Sequence, residues 1–164
     1  MPVRDVLQYP HPVLREMCKA VTPEMFDNGH LTQIVTDLLD TMAAKPGTVG
    51  LAAPQIAEPW QVFVMDSTAN TTKNNTIVVV NPTITSQSRW KFGREGCLSF
   101  PEYLITLKRA RKITSVFQAP SGEEVCRDFL DFEAVIFQHE ADHLAGILFI
   151  DLARSLDSDL IIRS

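Results

Sequence analysis

Residues 139–143 read His-Glu-Ala-Asp-His, and beyond them, from Leu144 to Ser164, the chain has no further glutamate, histidine or cysteine. On a helix His139 and His143 project from one face about 6 Å apart, at ~1.5 Å rise per residue. Two imidazoles so placed can grip one metal ion. Glu140, one step round the helix, lies near enough to take a proton from a water on that metal without ligating it. A third ligand is then needed. A histidine three residues past Gly146 would complete a known zinc-protease pattern, but that position is Phe149. Only Asp151, Asp157 and Asp159 remain downstream, all in a stretch that reads as a solvated tail. The fold must therefore carry an upstream segment back onto a C-terminal helix.

The upstream candidates are Cys18, Cys97, Cys126, His11, His30 or a carboxylate. Cys97 is the best placed. Gly96 lets the backbone approach closely, Ser99 is small, and a thiolate is a strong ligand for a borderline ion. Three protein ligands and a fourth open position make the catalytic pattern, whereas a structural zinc site is closed by a fourth ligand. Cys18 and Cys126 read as small buried hydrophobes. Asp142, three residues from His139, either orients a ligand or makes an ordinary salt bridge.

Hydrophobic residues at 45% and charged residues at 21% of 164 suit one soluble globular domain spanning residues 1–164. No apolar run is long enough to span a bilayer, and no leader pattern opens the chain, so a cytoplasmic setting is expected. A net charge of −5 argues against general nucleic-acid binding. Three cysteines at irregular spacing suggest no disulfide framework.

Leu31, Ile34, Val35, Leu38, Leu39 and Met42 recur at helical spacing and predict an amphipathic helix, stopped by Pro46-Gly47. Residues 49–53 read as extended. Val62–Met65 and Ile77–Val80 read as buried strands around an Asn/Thr-rich loop from Thr68 to Thr76, the second strand ending at Asn81-Pro82. Strands are expected at Leu104–Leu107, Ile113–Phe117 and Val125–Leu130, with a turn at Pro120-Ser121-Gly122. A second helix is expected from Asp131 as N-cap to Gly146 as the residue after the C-cap. The whole reads as α+β, mostly antiparallel strands packed around a C-terminal helix carrying the HExxH metal motif.

Three segments, Gly50-Leu51-Ala52-Ala53-Pro54-Gln55, Glu95-Gly96-Cys97-Leu98-Ser99 and Gln138-His139-Glu140-Ala141-Asp142-His143-Leu144, resemble in order and spacing the signature motifs of the peptide deformylases. The resemblance begins at Tyr9-Pro10-His11-Pro12-Val13-Leu14-Arg15 and covers nearly the whole chain. One departure is Thr48, where the family usually has glycine.

The resemblance implies removal of the N-formyl group from formyl-methionine at the start of newly made polypeptides, with release of formate. It implies Cys97, His139 and His143 as metal ligands, Glu140 as general base and later acid, and the Gln55 side-chain amide and Leu98 backbone N–H as oxyanion donors. It points to Fe2+ as the resident ion, while thiolate and imidazole donors suit zinc, nickel and cobalt as well. Val49, Val135 and Ile136 are candidates for an apolar slot beside the metal that takes a methionine side chain, with core packing as the competing reading. Gly50 and Gly96 offer open backbone for strand-like hydrogen bonds to a peptide. Glu95 and Arg109 are expected to form an ion pair supporting the cysteine loop.

Action on nascent chains suggests transient ribosome contact, which some bacterial relatives make through a basic C-terminal helix. Asp151–Ser164 is short and not basic, so that route is not expected here, nor are membrane or specific nucleic-acid partners. A bacterial, phage or processed organellar source fits equally. The rival readings are a metalloprotease, against which the missing downstream ligand argues, and a metal-stabilised module binding peptide N-termini without catalysis. A binder has no use for a base or an oxyanion donor.

Overall fold

A computed structural model describes residues 3–69 and 74–163. After a short 3-10 turn at Pro12–Arg15 come helices α1 (Pro23–Asp27) and α2 (His30–Ala43). Strands β1 (Gly50–Ala52), β2 (Val62–Met65), β3 (Ile77–Cys97), β4 (Phe100–Gln118) and β5 (Glu124–Leu130) follow. Helix α3 (Asp131–Leu144), helix α4 (Leu156–Asp159) and strand β6 (Leu160–Ile162) close the order. Every strand pairing is antiparallel. The strands run β1-β2-β3-β4-β5, and β6 joins the free edge of β4 at Tyr103–Ile105. This is the α+β arrangement expected from the sequence.

Helix α2 forms where the apolar spacing predicts it. Leu31, Ile34, Leu38 and Met42 pack on Leu51, Val62, Val64 and Val80 of the sheet. Helix α3 is buried almost all round, from Ala134 through Glu140, as befits a helix enclosed by a curved sheet. Its Phe137 meets Phe63 edge-on at 5.0 Å between ring centres and Phe129 at 4.7 Å. Truncating such a buried ring typically costs ~3–5 kcal/mol. Gln138 anchors the same helix to β4 by imitating a strand neighbour. Its Nε2 donates to the Ala110 carbonyl at 2.7 Å, and its Oε1 accepts from the Ala110 N–H at 3.1 Å.

Several expectations need correction. Strand β3 does not end at Asn81-Pro82; a register shift between Val80 and Thr83 absorbs the proline, and Asn81 takes φ 50°. The segments Leu104–Leu107 and Ile113–Phe117 are parts of one strand, β4, because the long pairing with β3 carries the polar residues between them. The loop expected from Thr68 to Thr76 lies partly outside the described residues. Asp131 is not the N-cap: Leu130 holds that position without a side-chain hydrogen bond, and Asp131 opens the helix at φ 53°.

The helix end is as expected. Gly146 stands at φ 74°, with its N–H on the His143 carbonyl and the Ile147 N–H on the Asp142 carbonyl, a Schellman closure. A Cβ there would come within 2.5 Å of the Arg15 carbonyl oxygen, so glycine is required sterically as well. The stretch read as a solvated tail is tied down. Asp151 bonds Arg15, Asp159 is buried against Arg154, and Leu160–Ile162 joins the sheet. Cys18 is buried as expected, its thiol pushed up to about 12 by desolvation first and by Glu16 second. Cys126 is exposed, contrary to expectation, because it alternates outward on β5. Thr48 is not among the residues held at positive φ, so the departure from glycine introduces no strain among the described residues. No helix of the described residues is long and apolar enough to cross a membrane.

Candidate active site

Strands β3 and β4 are joined by the tight turn Leu98-Ser99, with Cys97 paired to Phe100. The turn carries Cys97 onto α3. Cys97 Sγ and one ring nitrogen each from His139 and His143 lie within 4.8 Å of one another, the one such group of potential ligands among the described residues. Sγ is 3.5 Å from His143 Nε2. Of the other upstream candidates, His11 caps the first 3-10 turn, accepting from the Val13 N–H at 3.2 Å, and His30 packs edge-on against Trp60. Thiolate sulfur and two imidazoles suit a single divalent transition-metal ion. His139 Nδ1 is already engaged, which turns its Nε2 toward such an ion.

What engages it is Glu95. Its Oε1 is 2.7 Å from His139 Nδ1, and Arg109 bonds both of its oxygens, at 2.9 Å and 3.1 Å. Arg109 Nη1 donates in turn to Asp142, one turn further along α3. Burial opposes ionisation of Glu95, but the hydrogen bonds from His139 and Arg109 outweigh it and bring the carboxyl down to about 2. The Glu95–Arg109 pair was legible in the sequence; its hold on His139 was not. Acidic partners on the second nitrogen of metal-binding histidines are common enough to have been sought there.

Glu140 is buried, and its Oε1 has no hydrogen-bond partner among the described residues. Desolvation pushes its carboxyl up to about 7, against the pull of His139. Gly50 on β1 makes room for it: a Cβ there would stand 2.6 Å from Glu140 Oε2.

Gln55 sits in the 3-10 turn Ala53–Ile56 that follows β1, almost wholly buried. Its Oε1 accepts from the Ala52 N–H at 3.0 Å, which turns its Nε2 toward Ser99 Oγ (3.1 Å) and Cys97 Sγ (3.7 Å). Ser99 Oγ donates to the Leu7 carbonyl at 2.6 Å. Ser99 is thus a positioning residue that the sequence presented only as a small neighbour of Cys97. The motif's backbone turn was the available signal.

A cavity of about 950 Å³ opens on this group. Cys97, Leu98, Gln55, His139 and Glu140 line its floor. Val49, Gly50, Gly96, Val135 and Ile136, the expected substrate contacts, line its walls. Ile136 also packs into the core beneath, so it serves both readings weighed for it. Every site residue expected from the sequence other than His143, whose Nε2 is 3.5 Å from Cys97 Sγ, borders this one cavity.

An antiparallel sheet folded over a helix, with a hairpin-turn cysteine brought against two of its histidines, defines the class to which known proteins can be compared. A model of the polypeptide deformylase family matches residues 3–159. The peptide deformylase of Desulfotalea psychrophila is 40% identical over 161 residues, covering 98% of this chain and 93% of that protein. Among solved structures, a peptide deformylase from Legionella pneumophila superimposes with a TM-score of 0.86 at 37% identity, covering 94% of this chain and 88% of that one. The Met-Ala-Ser-bound class I type b peptide deformylase from Acinetobacter baumannii does so with a TM-score of 0.84 at 31% identity, covering 92% and 98%. The chain belongs to the peptide deformylase family, enzymes that remove the N-formyl group from nascent peptides. These are metalloenzymes, and the Cys97–His139–His143 group is a candidate metal centre.

Proposed function

We propose that this chain hydrolyses the formyl amide of the initiator formyl-methionine on newly made polypeptides, releasing formate and a free amino terminus. The observation that carries the reading is the convergence of Cys97, His139 and His143 within 4.8 Å beside a buried Glu140 whose Oε1 has no hydrogen-bond partner among the described residues. Those three residues would hold one divalent ion, Fe2+ by family resemblance, with zinc, nickel or cobalt accommodated by the same donors. When bound, such an ion polarises a carbonyl and acidifies a water toward neutral pH.

Glu140 takes up the proton released as the water attacks the formyl carbon, then gives it to the departing amine. A carboxyl held at about 7 is matched to moving protons both ways near neutrality. The Gln55 amide and the Leu98 N–H donate to the carbonyl oxygen as it gains negative charge, and Ser99 keeps the amide aimed. Val49, Val135 and Ile136 receive the methionine side chain, whose unbranched thioether fills an apolar slot at little steric cost. Gly50 and Gly96 bond the peptide backbone, which leaves later side chains weakly discriminated by this contact alone. That the Acinetobacter relative was solved with Met-Ala-Ser bound supports a peptide beginning with methionine as the ligand class. Soluble action on nascent chains in the cytoplasm, with at most transient ribosome contact, accords with this chemistry.

The test is formate release from formyl-Met-Ala-Ser by protein reconstituted anaerobically with Fe2+, beside a blocked peptide lacking the formyl group. Formate from the first and no cleavage of the second is the expected outcome. Cleavage of the blocked peptide at an internal bond would instead favour a protease.

A further inference from the structure

Three arginines border the mouth of the active-site cavity without an acidic partner. Arg94, Arg111 and Arg163 line it, and none forms a salt bridge among the described residues. Arg109, the fourth arginine of the cavity, is spent on Glu95 and Asp142. Two of the three lie over glycines of β3. Arg111 Nη2 would be 2.6 Å from a Cβ on Gly93, and Arg163 Nη1 3.4 Å from a Cβ on Gly96. The missing side chains let each guanidinium lie across the strand toward the cavity. Arg111 holds the Phe92 carbonyl with Nη2 at 3.3 Å, while its Nε is buried with no hydrogen-bond partner among the described residues. Arg163 is brought there by the folded-back tail, its N–H bonded to the Glu102 carbonyl at 2.7 Å beyond β6.

The one acidic side chain at the mouth outside the clamp and the Glu140 site is Glu102, which is exposed and makes no salt bridge among the described residues. The surplus of cations is local, since the chain as a whole carries −5. A cleft lined by one sign of charge focuses its field on whatever enters. Arginine forks also match carboxylates in geometry as well as sign.

Gly96 adjoins Cys97, and Gly93 lies four residues from it, about 13 Å along an extended strand at ~3.3 Å per residue. A peptide laid along β3 with its formyl end at Cys97 would pass Arg163, over Gly96, with its first residue and would bring its third and fourth side chains past Arg94 and Arg111. We infer that Arg94 and Arg111, with Arg163 at the end nearer Cys97, form an anion subsite favouring formyl-methionyl peptides with a carboxylate at the third or fourth residue. The inference rests on the deformylase reading and adds a downstream preference to a backbone-binding site that otherwise has none.

The test compares kcat/KM of the metal-loaded enzyme for formyl-Met-Ala-X-X-amide with X as Glu, Gln or Lys. The C-terminal amide removes the terminal carboxylate, and a fourth peptide, formyl-Met-Ala-Gln-Gln with a free acid, adds it back. At low salt the Glu peptide is expected to exceed the Gln peptide about fivefold to tenfold, chiefly through KM, and the Lys peptide to fall below it. The preference should shrink to under about twofold at ~0.5 M salt as screening shortens the field. In Arg94→Gln and Arg111→Gln, assayed separately, the Glu-to-Gln ratio should drop by about half or more, and in Arg163→Gln, nearer Cys97, by less. The ratio is the readout, because damage to the fold lowers all rates together. A free-acid peptide that alone outruns its amide, with Glu and Gln equal, would overturn the side-chain preference. So would equal kcat/KM for all peptides at low salt, or ratios unchanged in both Arg94→Gln and Arg111→Gln. Formate from none of the peptides would overturn the deformylase reading, and the subsite with it.

Discussion

His139 and His143 stand one turn apart on α3, yet their Nδ1 atoms live in opposite surroundings. His139 Nδ1 is held at 2.7 Å by Glu95, itself clamped by Arg109, which reaches on to Asp142. His143 Nδ1 is buried with no partner among the described residues, as is Glu140 Oε1. The electrostatics follow the same division. Burial works against a proton on both rings, but Cys97 and Glu95 overcome it at His139 and raise its pKa well above the ordinary value. At His143 nothing offsets burial, the charges of His139 and Arg109 add to it, and the pKa falls well below. One wall of the site is fully satisfied and holds geometry. The other carries buried polar atoms left free, which is costly in a core and concentrates where chemistry is done.

The largest effect is expected where the free wall is broken. Glu140→Ala should lower formate release by ~10²–10⁴-fold, the usual worth of a positioned acid–base group, with metal content unchanged. Loss of metal along with activity would instead place Glu140 on the holding wall.

Breaking the clamped wall should read out as stability and metal affinity. Glu95→Ala leaves buried Arg109 with Asp142 alone, and removing one member of a buried pair costs up to ~3–5 kcal/mol. The same variant frees His139, which should weaken metal binding ~10–100-fold. Urea unfolding and a metal-competition titration measure the two separately. A variant as stable as the parent would mean that the clamp is ornamental to the fold.

A pH series sharpens the contrast. In metal-stripped protein the Glu140 carboxyl is raised from the usual 4.5 to about 7, so between these values the folded state binds the extra proton. Its contribution to stability is present below about 4.5 and is lost as pH rises through 7. Glu140→Gln removes that titration, and should be more stable than the parent at pH 8 than at pH 5 by up to ~3 kcal/mol. Comparing the two proteins at each pH cancels groups common to both. A constant difference across the range would show that Glu140 finds a partner in solution.

The two walls were not equally legible in the sequence. The free wall was: Glu140 and His143 are spaced, with His139, by the helix that holds them, and local periodicity is what a sequence displays. An upstream ligand followed by exclusion, and Cys97 was the best placed of several candidates for it. The clamp was legible only as a pair of opposite charges, since the register of Glu95 opposite Ile105 and the approach of α3 to β4 are tertiary facts. For the same reason β3 seemed to stop at Pro82, although its pairing with β4 carries a polar, exposed stretch through to Cys97. The tail seemed solvated because its apolar Leu160–Ile162 is too short to signal a strand without the edge of β4 to join.

Between the two walls lies Gln55, whose amide is aimed by neighbours rather than clamped by charge. Gln55→Ala should reduce turnover by ~10²-fold at unchanged metal content, the scale of a lost oxyanion donor. Ser99→Ala tests the aim itself. It removes the hydroxyl at 3.1 Å from Gln55 Nε2 and leaves the Leu7 carbonyl without its 2.6 Å donor. The Ala52 N–H still holds Gln55 Oε1 at 3.0 Å, so the amide is loosened rather than lost. One neutral hydrogen bond is worth ~1 kcal/mol, or about fivefold. The expected loss is therefore about fivefold in kcat with KM nearly constant, because the amide acts on the developing oxyanion more than on bound substrate. The Ser99→Ala, Gln55→Ala double variant should be no slower than Gln55→Ala alone, since the serine acts through the glutamine. An additive loss would detach Ser99 from the oxyanion and assign it to the Leu7 segment instead.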